Sequence, residues 1–591
     1  MKRFLLLGVC FLIFAIPAHA SSDIEVKYLV NYSYDSAGNS HVIQNISLTN
    51  KTSNTYASHY QIILQGELPK NISGHDSLGP LKIVASQIKE DATQIDIDFN
   101  DVVVGLNKSL NFVLTYDGLR AQKRGQVWEI TLPRLGENSQ INDYTLKLNV
   151  PPEFGQPAFI SPSPLTSQNR VYTFSKDQIA KVGVVAAFGN FQTFGFNLKY
   201  HLQNPTKTQG LTTIALPPDT NYQRVFYDSL DPMPKEVNVD PDGNWLATYI
   251  VAPNGELDIT AAGQAHVLVE PSVPGLIPTP SQLNADLLPT QYWQVTDPTI
   301  QALAKKYNTP EKIYDYVVNS LDYNYARAGI GATRKGALEA LKNPQDSICM
   351  EFTDVFIAIA RAAGIPAREI NGYAYTTDSY LRPLSLISNI LHAWPEYWDS
   401  SKNAWVSVDP TWGKTTKGID YFHKLDFSHF TFVIHGQSDS SPHPAGSYKI
   451  EFAPYKEYTP NPAKINWTKP LQIWSIIPTR TTISISNPQG QAIYKVPVQI
   501  STHSLLISSP YLHSIDILPP FGQKDLPLIF DRNLKPDFSP KNITITTGTS
   551  QITYNINEAS FIFWHTILVT FISFIIIFLG FVTYKAWSLR L

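Results

Sequence analysis

Near its end the chain carries Phe561–Thr583, an almost wholly apolar run. A helix rising 1.5 Å per residue crosses a hydrocarbon core of roughly 30 Å with a segment of that length. The alternative for such a run is a buried core helix, but a strand-rich chain rarely ends in one so long and apolar. Lys585 and Arg590 follow it, and the positive-inside tendency predicts residues 584–591 as a short cytoplasmic tail. At the other end Lys2 and Arg3 precede an apolar stretch, Phe4–Ile16, and a small-x-small site, Ala18-His19-Ala20. That pattern is a secretory signal peptide over residues 1–20. The expected topology is a leader, a large extracytoplasmic body and a single C-terminal pass through the cell membrane.

The chain has 2 cysteines, Cys10 and Cys349. Loss of the leader leaves Cys349 as the sole thiol, so no intramolecular disulfide can form. The body must hold together by core burial, and 591 residues are too many for one core. Charged residues make up 16% and aromatics 12%, a balance that excludes a disordered chain. The formal net charge of −3 gives no reason to expect nucleic acid as a partner.

Residues 21–152 read as β structure. Glu25–Tyr34 and Thr93–Phe99 alternate in polarity, short runs are punctuated by Gly, Asn, Asp and Pro, and no long helical period appears. This predicts an all-β sandwich. A second β domain, or the remainder of one larger one, is expected over 153–272, with strands at Val171–Phe174, Phe196–His201, Leu211–Leu216 and Trp245–Val251 and a turn at Asp240-Pro-Asp-Gly243. Residues 273–287 begin with a Pro-rich linker. A mixed α+β domain is expected over 288–436. Within it Asp297-Pro298 and Thr309-Pro310 are helix starts, and Ile313, Tyr314, Val317 and Leu321 make one apolar stripe. Residues 437–470 read as loop and linker. Alternation returns over 471–556, as in Thr481–Ser486 and Asn542–Thr547, and predicts a small Ig-like β domain serving as a stalk before the apolar run at 561–583.

The chemistry concentrates in Ser347–Trp412. A helix is expected from just after Ser347 to about Ala363, with Phe352, Val355, Phe356, Ile359 and Ala363 inward and Gly364 and Pro366 ending it. Cys349 then sits in the first turn, where unpaired N–H groups and the helix dipole favour a thiolate. A lone cysteine is otherwise a small buried hydrophobe. Downstream, Asp399-Ser-Ser-Lys-Asn403 reads as a hairpin turn between two aromatic-rich strands. With Ser401 and Lys402 at its centre, Ser400 pairs with Asn403, Trp394 faces Asp409 and His392 faces Thr411. His392 and Asp409 become diagonal neighbours on one face, roughly 7–8 Å apart at the backbone. A bulge would break this register, and Pro395 cannot donate to a central ladder. A thiol, an imidazole and a carboxylate at such spacing are the parts of a Cys-His-Asp nucleophilic site. His423, His429 and His435, six residues apart, fit no short metal-ligand pattern, and neither metal nor cofactor is expected.

Cys349 with its helix, Ala363-Gly-Ile-Pro-Ala-Arg368, His392-Ala-Trp394 and Val408-Asp-Pro-Thr-Trp412 resemble the transglutaminase-like superfamily, whose members have a papain-like fold. The resemblance covers roughly Leu288–Gly436. It departs at Ser347, where many members have glycine, and at Pro395. It implies Cys349 as nucleophile, His392 as base and Asp409 as the group orienting His392. The implied chemistry is attack on an amide or ester of a protein or peptide at the cell surface, a thioester, and transfer to an amine or to water. The Cys349 backbone N–H and one further donor would hold the oxyanion, with Tyr323 and Tyr325 as candidates. The rival expectation is a cell-surface binding or scaffold protein that keeps the fold without turnover.

Overall fold

The computed structural model describes residues 23–589 except 55, 66–68, 91, 136–140, 272–276, 330–331, 377–380, 385–391, 460, 468–477, 504, 506, 508–513, 532–540 and 557. The expected leader with Cys10 lies outside the described residues, as do 272–276 of the linker. The described chain is largely β with a few helices and falls into two compact units.

One unit comprises the chain up to Gln122 with Glu129–Phe154 and Ile160–Ala186. Its strand Ile24–Tyr34 pairs antiparallel with Ser40–Asn50 and parallel with Asp143–Asn149 inside an eight-stranded sheet. Val26, Tyr28, Val30, Tyr32 and Tyr34 are all buried, so the alternation read in the sequence is the inward face of this strand. Tyr56–Gln65, Ala92–Val104 and Lys82–Lys89 form a separate three-stranded sheet.

The other unit contains the remainder from Ala187. Strands Gln223–Asp231, Gly255–Val267, Gln192–Asn204 and Ser447–Phe452 form one sheet in that order. The last of these stands inside 437–470, expected from the sequence as loop: its alternation is short and half-exposed, and it pairs with Gln192–Asn204. A second strand in the same stretch, Lys464–Trp467, pairs with Thr479–Ser486.

Between Val267 and Ser447 lies the mixed α+β part. Pro298–Lys306 is capped by Asp297 and Pro310–Ser320 by Thr309, each with proline at the first helical position. Ile313, Tyr314, Val317 and Leu321 are buried as one stripe. Strands Ala404–Ser407, His392–Asp399, Ala367–Ala374 and His429–His435 make an antiparallel sheet in that order. The helix Cys349–Ala362 packs against it, on His392–Asp399. Phe430, Phe432 and Val433 of the last strand join the core of the preceding β sheets, where the Phe194 and Phe430 rings stack at 6.1 Å.

At the end of the chain Glu558–Ser588 is helical. Its segment Thr566–Ser588 is long and apolar enough to cross a membrane, and none of its most apolar window is buried within the protein.

Candidate active site

The helix Cys349–Ala362 is not amphipathic as its spacing suggests; every residue from Cys349 to Arg361 is buried. Its charged side chains are therefore matched one by one, as burial requires. Glu351, at the third helical position, accepts from the Ile348 backbone N–H at 3.0 Å and from Arg327 at 2.7 and 2.9 Å. Asp354 binds the Arg334 guanidinium and accepts from Trp293 Nε1–H at 2.8 Å. Arg334 also reaches Glu369 on the adjacent strand at 2.5 Å. Arg361 donates to the carbonyls of Ala367, Leu288 and Gly436. The helix start, and with it Cys349, is fixed from all sides. Ser347, buried just before it, donates to the Pro344 carbonyl at 3.2 Å.

The hairpin has the register expected from its turn: Glu396 pairs with Ser407, Tyr397 with Val406, Trp398 with Trp405 and Asp399 with Ala404. The second strand nevertheless stops at Ser407. Val408 N–H still donates to the Pro395 carbonyl at 3.0 Å, but proline has no N–H to return the bond, so the ladder ends there. The chain turns into a short helix, Pro410–Thr415, with Asp409 as its N-cap. Asp409 Oδ1 accepts from Trp412 N–H at 3.0 Å, which leaves Oδ2 for the site.

His392 Nε2–H donates to Asp409 Oδ2 at 2.9 Å. The remaining ring nitrogen, Nδ1, is buried and has no oxygen or nitrogen partner among the described residues; the Cys349 thiol is the hydrogen-bonding group there for it. Trp394 and Trp412 stack on the imidazole at 5.8 and 5.1 Å and hold its plane. Gly372, beside His392 in the sheet, is required by close approach: a Cβ there would lie 2.2 Å from the Phe430 carbonyl. Cys349, His392 and Asp409 are all fully buried. Burial opposes a charged imidazole, but the Asp409 carboxylate, joined by Cys349, outweighs it and pushes the His392 pKa up to about 9. Burial likewise opposes the Asp409 charge, and the imidazoles hold its carboxyl well below the usual carboxylate range.

A second imidazole joins these groups, and its spacing from the other histidines carries no signal for it. His429 opens the last strand of the sheet, donates through Nε2–H to Asp409 Oδ2 at 3.3 Å and through Nδ1–H to Asp426 Oδ1 at 3.1 Å. Carboxylates only accept, so a histidine between two of them carries both protons. Its pKa, against the effect of burial, is pushed up to about 9. Asp426 also accepts from Tyr421 Oη–H at 3.3 Å, and Arg382 Nε–H donates to that phenol at 2.9 Å. The alternating strand Phe430–His435 was the legible hint: it places His429 at the same end of the sheet as His392. His423 is exposed against Asp420, and His435 is buried against Asn371, so the three histidines do not converge. The donor atoms of His392, Asp409 and His429 lie within 4.8 Å of one another, a spacing a metal ion could span. Here hydrogen bonds from both imidazoles to one carboxylate oxygen join them.

Residues 294–410 match the family model of the transglutaminase-like superfamily and form a transglutaminase-like domain. A protein-glutamine gamma-glutamyltransferase of Pseudomonas aeruginosa is 33% identical over 86 residues, 14% of this chain and 13% of that one. Among solved structures, a candidate cysteine protease of Cytophaga hutchinsonii covers 46% of this chain and 94% of its own at 18% identity and a TM-score of 0.31. A candidate protease of Parabacteroides distasonis covers 87% and 94% at 10% identity and a TM-score of 0.17.

Proposed function

We propose that this transglutaminase-like domain is a thiol acyl-transfer enzyme with Cys349 as nucleophile, His392 as base and Asp409 as the group that orients the imidazole. The observation that carries the reading is the buried succession of Cys349, His392 and Asp409, with Nε2–H on the carboxylate and Nδ1 left for the thiol. Cys349 sulfur attacks the carbonyl carbon of an amide or ester, and its proton resides on His392 Nδ1. That proton passes to the leaving nitrogen or oxygen, the carbonyl–heteroatom bond breaks, and a thioester remains. An amine or water then gives its proton to Nδ1 and attacks the thioester, and the thiol is restored. Asp409 stays ionised throughout and keeps Nε2 protonated.

On this reading the β regions at 21–152, 153–272 and 471–556 are sandwich and Ig-like modules that carry the enzyme. The leader directs export and is removed, and the helix at Thr566–Ser588 holds the enzyme on the outer face of the cell membrane, where proteins or peptides supply the amide. The rival, a scaffold without turnover, is favoured by one observation: the thiol has no exposed surface.

Alkylation of Cys349 by iodoacetamide across pH, beside His392→Ala, separates the two. Fast alkylation well below pH about 8.5, the ordinary thiol range, and its loss in the variant are the expected results. A slow reaction that follows an ordinary thiol titration and ignores His392 would remove the enzymatic reading.

A further inference from the structure

The acyl-transfer reading needs a second hydrogen-bond donor beside the Cys349 backbone N–H, because the carbonyl oxygen gains a full charge as sulfur adds. Tyr323 and Tyr325 both lie on the segment leading to the thiol, and the structure separates them. Tyr323 forms an isolated parallel bridge with Ser347, two residues before Cys349. Its neighbours hold the same segment: Asp322 N–H donates to the Pro344 carbonyl at 2.9 Å and Asn324 N–H to the Ser347 carbonyl at 2.8 Å. Tyr323 is thus clasped to the strand end that delivers the nucleophile. Tyr325 is 39% exposed and meets the Tyr323 ring edge-on at 4.9 Å, on its solvent side.

The Tyr323 phenol oxygen is buried and has no hydrogen-bond partner among the described residues. Leaving such a hydroxyl unsatisfied costs on the order of 1–3 kcal/mol. Burial above all, with the neighbouring Cys349, Tyr325, Asp409 and Glu351 adding to it, holds its proton on. A protonated phenol with a vacant donor, on a segment clasped to the residues that lead into Cys349, lacks only an acceptor oxygen.

We infer that Tyr323 is a catalytic residue of this site, its hydroxyl donating to the oxyanion formed when Cys349 adds to a carbonyl. The inference rests on the acyl-transfer reading above. In the step, the carbonyl π pair moves to oxygen as the S–C bond forms. The Tyr323 O–H and the Cys349 N–H hold that charge, and it returns as the leaving group departs. The phenol keeps its proton throughout.

The test compares two reagents on the full-length protein in detergent. p-Nitrophenyl acetate acetylates through a tetrahedral oxyanion, whereas iodoacetamide alkylates at a saturated carbon and forms none. Tyr323→Phe removes one oxygen and keeps the ring against Tyr325. Expected is a fall of about 10²-fold in the rate of Cys349 acetylation, read by the mass of the Cys349 peptide against Cys349→Ala, the magnitude seen when one oxyanion donor is removed. The alkylation rate and its pH profile stay unchanged. Equal acetylation of wild type and variant overturns the assignment and leaves the acyl-transfer reading intact. A parallel shift of the alkylation profile also overturns it, since the phenol would then act on the thiolate. A wild type that alkylates but is never acetylated sinks both.

Discussion

His429 ties the stability of the domain to alkaline pH. It is buried between Asp409 and Asp426, whose carboxylates outweigh the effect of burial and push its pKa from 6.5 up to about 9. A group that holds its proton more tightly folded than unfolded contributes fully below the unfolded value and loses that contribution as pH rises through the folded one. At about 1.4 kcal/mol per pKa unit, the rise is worth on the order of 3 kcal/mol. His392 is raised to the same value but draws on the same oxygen of Asp409, so the two together should yield less than twice that. Asp409, held low, acts on the other limb and is lost only as pH falls below the ordinary carboxylate range. The perturbation is His429→Gln, which keeps an amide N–H for Asp409 and discards the charge. Urea unfolding of the detergent-solubilised protein at pH 6, 7.5 and 9, followed by tryptophan fluorescence, is the assay; Trp394 and Trp412 contact the His429 ring at 4.9 and 4.7 Å. Wild type should lose several kcal/mol between pH 6 and 9. The variant should start lower at pH 6 and change less with pH, by about 3 kcal/mol. A gap between the two that stays constant from pH 6 to 9 would refute a charged His429.

Two further outcomes follow from packing. Arg334→Met strands the buried carboxylates of Asp354 and Glu369, and breaking a buried ion pair from one side costs about 3–5 kcal/mol, readable as a lower urea midpoint. Gly413→Ala places a Cβ 2.1 Å from the Tyr314 hydroxyl, under the helix that Asp409 caps. Overpacking of about 1–3 kcal/mol should appear in unfolding, together with slower Cys349 alkylation as Asp409 shifts.

Local rules made much of this legible. Proline and threonine at helix starts, apolar stripes, strand alternation and the turn at Asp399–Asn403 all depend on residues within a few positions of one another. The hairpin register could be read because one turn sets every pair beyond it. What escaped was long-range. Ser447–Phe452 has no strand signal strong enough without its partner some 250 residues earlier. His429 reaches Asp409 only because two strands and a helix cap converge, and its spacing from other histidines says nothing of that. The apolar spacing of the Cys349 helix marks one inward face, whereas Arg327 and Arg334, on the segment before the helix, neutralise its charged residues so that the other face is buried too.

The return of Ser447–Phe452 to the strand Gln192–Asn204 has a topological result. The transglutaminase-like part is inserted into a sheet whose strands lie on both sides of it in the chain. One proteolytic cut between Val267 and Ser447 would leave each new end still hydrogen-bonded to the same sheet, so the pieces stay together as a nicked complex. Release of the transglutaminase-like part takes two cuts. The same arrangement means that the edge strand of this sheet is synthesised only after Cys349, His392 and Asp409 have all been made.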